Sequence, residues 1–174
     1  NDADDAVRLA EEALQEYFRL FSAHWLSGMR AKLGLFGEET EDEELAADLL
    51  EMMRLARADY TNAFRALTFG RDEETGLADL PAFAAWKERW AARRGRHAGT
   101  PEASWELMRR SNPAVIPRNH RVEEALAAAA DGDLSVMERL LAALADPYAH
   151  SPEQEPYAAP PPPSPVPYRT FCGT

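Results

Sequence analysis

The sequence predicts an all-α fold, about six amphipathic helices in an irregular bundle followed by a proline-rich extended tail. Three observations carry this reading. Apolar residues recur at three- and four-residue spacing through most of the first 148 residues. No segment alternates with period two, and no Asn-Gly or Asp-Gly turn sits between β-branched runs. From Ser151 onward prolines dominate, with an unbroken run at Pro160–Pro163. The chain thus divides into a helical domain at 1–150 and a tail at 151–174.

The first helix is predicted from about Ala3 to Leu33. Val7, Ala10, Leu14, Tyr17, Phe18, Phe21, Trp25 and Met29 form its stripe, acids in its first turn suit the helix dipole, and Gly34 and Gly37 end it. The pattern Thr40…Glu43 reads as a capping box for one long second helix reaching about Phe69. Gly70–Gly76 is a loop. A third helix runs from Pro81, suited to a first turn, to about Arg94, with Phe83, Trp86 and Trp90 inward. Thr100-Pro101-Glu102 supplies a cap, a first-turn proline and a dipole-matched acid for a fourth helix to about Arg110. Pro113 and Pro117 break the chain. A fifth helix, Arg118–Ala130, stops at Asp131-Gly132, and Ser135…Glu138 caps a sixth that ends before Pro147. The last two are placed to form a hairpin. The predicted common core is Phe21, Trp25, Leu49, Met53, Phe64, Trp86, Trp90, Leu126, Leu140 and Leu141.

Composition limits function. The 174 residues carry a formal charge of −11, which disfavours nucleic acid and anionic membranes, since both need a basic footprint. No apolar run approaches the ~18 residues of a membrane span. The acidic start, Asn1–Asp5, is unlike a signal peptide, so a cytoplasmic protein is expected, and the absence of an initiator Met suggests a piece of something longer.

Few residues suggest chemistry. Of His24, His97, His120 and His150, only His120 has an acid at helical spacing, Glu123, and no ligand set for a metal emerges. Phosphate-loop, nucleophile-elbow and kinase catalytic-loop patterns are missing. The sequence therefore assigns no catalytic, cofactor-binding or metal residue here. The Arg89–Arg96 cluster suits a helix C-terminus better than a ligand. Arg118 and Arg121 sit at the less favoured helix start, which predicts an acidic or carbonyl partner within the chain. The proline run has PxxP spacings that suit a docking module, or a strap that positions the C-terminal residues.

Those residues include Cys172, the single cysteine. It cannot form a disulfide within this chain, and thiols of this kind are present for their chemistry more than their packing. Fully extended, Ser151–Phe171 reaches up to roughly 65 Å at ~3.1 Å per residue. Cys172 is the candidate redox residue.

Several segments, in order, resemble the C-terminal region of the SelO family of protein adenylyltransferases, the YdiU proteins of bacteria. They are Lys32-Leu33-Gly34-Leu35, Asp59-Tyr60-Thr61 with Phe64-Arg65-Ala66-Leu67, Asn112-Pro113-Ala114-Val115-Ile116-Pro117-Arg118-Asn119-His120, Gly132-Asp133, Pro147-Tyr148 and Cys172. The resemblance implies a parent with a kinase-like, pseudokinase fold that uses ATP and Mg2+ (or Mn2+) to transfer AMP to Ser, Thr or Tyr hydroxyls of proteins. Its catalytic motifs match no position here. This chain would then be the helical C-terminal part of that fold. Its partners would be the upstream kinase-like lobe and, for the parent, protein substrates. The resemblance also implies a redox pairing of Cys172 with a cysteine in the kinase-like core. The alternative is a stand-alone helical interaction module with a proline-rich docking tail.

Overall fold

A computed structural model describes residues 2–96 and 99–163. Among them every regular element is helical: α1 (Asp2–Lys32), α2 (Asp42–Ala56), α3 (Tyr60–Thr68), α4 (Pro81–Arg96), α5 (Pro101–Ser111), α6 (Asn119–Ala130), α7 (Ser135–Leu144) and α8 (Glu155–Ala158), with short 3-10 turns at Asp72–Thr75 and Pro152–Gln154. The chain divides into two compact units between Pro113 and Ala114, inside the stretch 1–150 that the sequence reads as one domain.

In the first unit, α1 packs on α2 and α5, α2 on α4, and α3 on α5. Met29, Leu33, Leu45, Leu49, Met53, Phe64, Trp86, Trp90 and Met108 lie in one buried cluster. Both buried indoles satisfy their N–H on a backbone carbonyl near a helix end: Trp86 Nε1 donates to Leu45 O at 2.8 Å and Trp90 Nε1 to Leu33 O at 2.9 Å. Each tryptophan thus adds apolar area and also fixes helix register.

The predicted long second helix is two helices. Arg57 adopts a left-handed conformation at φ 53°, and Ala58 N–H reaches back to Met53 O at 2.9 Å. This is the closing pattern that ordinarily uses glycine. Asp59 then caps α3, accepting from Asn62 N–H at 2.9 Å. The break was hidden because its left-handed residue is an arginine. Where glycine does mark the stop, at Gly34, Gly70 and Gly132, all with positive φ, the same closure appears as predicted. The capping boxes are corrected as well. Asp42, not Glu43, reaches back, accepting from Glu39 N–H, and Asp133 accepts from Ser135 N–H at 2.9 Å. Thr100 caps α5 as expected, accepting from Ala103 N–H.

The predicted core needs a larger correction. Leu49, Met53, Phe64, Trp86 and Trp90 are buried together and Trp25 packs partly against them. Phe21 is 54% exposed, and Leu126 and Leu141 are also exposed. Leu140 is buried, but in the second unit. All residues from Asp4 to His24 are exposed, so the aromatic stripe of Tyr17, Phe18 and Phe21 is not core within this chain.

In the second unit α6 packs on α7. The start of the expected extended tail is folded instead. Gln154 is buried, donating from Nε2 to Ala143 O (2.9 Å) and Asp146 O (2.7 Å) around the end of α7, and its Oε1 accepts from Ser151 N–H. These bonds fill carbonyls that a helix end leaves open. Ala158 is buried with Ala114 and Val115. Extended backbone begins at Ala159, with φ −61° and ψ 137°.

Candidate functional site

Three segments singled out in the sequence meet in the first unit at a buried polar node. α1 delivers Lys32 at its last position, α3 delivers Tyr60, Phe64 and Thr68, and the end of α5 delivers Asn112. Asn112 is 0% exposed. Its Nδ2 donates to Lys32 O and to Thr68 Oγ1, both at 2.9 Å, while Thr68 Oγ1 donates to Phe64 O. Lys32 Nζ donates to Ser111 O at 3.1 Å and Asn112 Oδ1 at 3.3 Å. The ammonium lies 5.5 Å from the Tyr60 ring centroid and 5.2 Å from that of Phe64. Burial lowers the Lys32 pKa and raises that of the Tyr60 hydroxyl. A backbone carbonyl, a side-chain amide oxygen and two ring faces thus hold the cation in place of a carboxylate. The node ties three helix ends together, and the spacing of apolar residues gave no hint of it, because its polar atoms pair across the fold.

Next to it, Gly34 lets α1 close against α5. Ser104 Oγ donates to Gly34 O at 2.7 Å, and a Cβ on Gly34 would lie 2.5 Å from that same Oγ.

The Arg89–Arg96 cluster is a structural network. Arg93 is 1% exposed, and its Nε donates to Asp42 Oδ1 at 2.6 Å, while Arg30 Nε donates to Asp42 Oδ2 at 2.6 Å. Burial by itself would raise the Asp42 pKa. Hydrogen bonds from Arg93, the Glu39 N–H and Arg30, with the charge of Arg93, outweigh it and hold the carboxyl below its usual range. Arg89 pairs with Asp48 and Glu44, and Arg96 with Glu39 and Glu41. Arg94 instead donates to Ser104 Oγ and lies over the Trp90 ring.

In the second unit Arg118 and Arg121 find the carbonyl partners predicted for them, Ala158 O at 2.9 Å and Pro156 O at 3.0 Å. Both grip the folded start of the tail. Among the described residues no three His, Cys, Asp or Glu side chains converge as metal ligands. No described helix is long and apolar enough to cross a membrane. Cys172 lies outside the described residues, as does His97.

Comparison with known proteins places these features in a family. The family model described as protein adenylyltransferase SelO matches residues 6–145. The chain is 59% identical over 175 residues to the protein nucleotidyltransferase YdiU of Halalkalibacterium halodurans, covering 100% of this chain and 36% of that protein. It is 61% identical over 172 residues to the protein of the same name from Geobacillus kaustophilus, covering 98% of this chain and 36% of that protein. For the Alkaliphilus metalliredigens protein, also named YdiU, the identity is 56% over 174 residues, covering 99% of this chain and 35% of that protein. This chain spans about a third of the length of the curated relatives it matches, and it belongs to the SelO protein adenylyltransferase family.

Proposed function

We propose that this chain is the helical C-terminal region of a SelO-type pseudokinase that transfers AMP from ATP to hydroxyls of protein side chains. Its role is to brace the kinase-like lobe upstream and to present Cys172 to it. The observation that carries the reading is the identity to protein nucleotidyltransferases along the whole chain. ATP and Mg2+ or Mn2+ serve the parent through residues outside this chain. Protein substrates meet the parent in the cytoplasm.

Arg118, Arg121 and Gln154 anchor the tail at residues 154–158. From Ala159 to Cys172 the chain would reach about 40 Å if extended at ~3.1 Å per residue, less than the sequence suggested. Within that reach Cys172 pairs with a thiol of the lobe by exchange with a disulfide oxidant, which takes up both electrons as the protons leave the two thiols.

The test uses the full-length protein with labelled ATP and a protein acceptor, with and without a disulfide reductant. AMP transfer that responds to reductant in the wild type but not in Cys172→Ser supports the whole reading. Transfer with equal response in both proteins removes the redox role, and absence of transfer removes the activity.

A further inference from the structure

The exposed two-thirds of α1 is amphipathic in an unusual way. At ~100° per residue, Val7, Leu14, Phe18 and Phe21 lie along one side, and Leu9 and Leu20 lie well round from them. Alanines fill between, so the apolar arc covers about 200° of the helix surface. All six large side chains are at least 41% exposed. The remaining arc is polar and carries its own pairs, Arg8 with Glu12 and Arg19 with Glu16. The apolar side runs on without interruption into Trp25, Met29 and Leu33, which enter the core of the first unit.

The width of the arc selects the occupant. A helix lying on one surface needs roughly 100° of apolar face, and a two-stranded seam needs less. An arc twice as wide is filled only when packing elements flank the helix on two sides. A lipid interface would want a Lys/Arg-rich polar face, whereas this one carries Glu11, Glu12 and Glu16 among its arginines. The relatives supply polypeptide for the purpose, since about two-thirds of their length lies outside the aligned region. We propose that residues 5–23 form a core helix of the full-length protein, inserted between two apolar elements of the polypeptide outside this chain. The inference rests on the reading of this chain as part of a larger nucleotidyltransferase.

Cysteines placed at Leu9 and Phe18, about 180° apart, test both sides at once. Glu12→Cys reports the polar face. Each is made with Cys172→Ser, and thiol labelling is resolved peptide by peptide in the full-length protein and in the 174-residue chain. Expected is labelling at all three sites in the shorter chain, and at least tenfold slower labelling at Leu9→Cys and Phe18→Cys in the full-length protein, with Glu12→Cys unchanged. Labelling at Leu9→Cys as fast as at Glu12→Cys in the full-length protein overturns the proposal in favour of a one-sided contact, such as a second copy. Hydrogen exchange on the unsubstituted proteins decides if the variants do not fold: amides 5–23 exchanging equally fast in both also overturns it. AMP transfer is assayed on the same samples. Its absence bears on the catalytic reading alone and leaves the labelling pattern to stand or fall independently.

Discussion

Arg93 and Asp42 form a buried ion pair, with Nε 2.6 Å from Oδ1 and side chains 1% and 0% exposed. The pair joins α4 to the start of α2, and Arg30 on α1 and the Glu39 N–H also donate to the carboxylate. Removing Asp42 leaves the buried Arg93 guanidinium with the partly exposed Glu39, 3.1 Å away, as its remaining acidic partner. Asp42→Asn should therefore cost about 3–5 kcal/mol in chemical denaturation. Replacing both residues by apolar side chains of similar volume should cost less than the single change.

The same carboxylate predicts a pH dependence. An aspartate in the unfolded chain titrates near ~3.9, and Asp42 in the folded chain titrates lower. Its contribution is complete above the unfolded value and is lost as pH falls through the folded one. Stability measured from pH 6 downward, roughly to pH 2, should fall more steeply below about 4 in the wild type than in Asp42→Asn. Parallel curves would show that other carboxylates govern acid unfolding.

Two left-handed residues predict opposite outcomes. Gly34, at φ 68°, has Ser104 atoms where a Cβ would sit, so Gly34→Ala should destabilise by more than about 2 kcal/mol. Arg57 carries a Cβ at φ 53°, and Arg57→Gly should stabilise by about 0.5–1 kcal/mol in thermal or urea unfolding.

Phe64 and Phe21 separate core from open stripe. Phe64 is 1% exposed, and Phe64→Ala should cost about 3–5 kcal/mol. In the 174-residue chain Phe21→Ala should cost less than about 1 kcal/mol, because its ring is largely in solvent there. A cost for Phe21→Ala as large as that for Phe64→Ala would mean that the stripe is covered within this chain.

The 174-residue chain should not bind Mg-ATP at micromolar concentration by calorimetry, since its buried arginine is paired within the fold and no ligand set converges among the described residues. Micromolar binding would place a nucleotide site here.

By itself the sequence determined the all-helical character of the chain, most of the helices up to α7 and most of their ends. These are short-range matters: a glycine at φ > 0, a proline in a first turn, a threonine cap and an apolar repeat act over a few residues and are written in neighbouring letters. The segments Lys32–Leu35, Asp59–Leu67 and Asn112–His120 also sufficed to mark the family. Only the tertiary structure decided the rest. The break at Arg57 was invisible because packing of Ala58 against the core, not a glycine, holds the left-handed turn. Periodicity says that Phe21 and Phe64 each lie on an apolar face, but not whether anything covers that face. Phe64 is buried in a cluster that also holds Leu33 and Met108, far away in sequence, while Phe21 is largely in solvent. The Lys32–Asn112 node depends on groups 80 residues apart, and the Gln154 anchor on carbonyls that open only where α7 ends. Burial and polar pairing across such distances are properties of the assembled fold, because a side chain's environment is set by its neighbours in space.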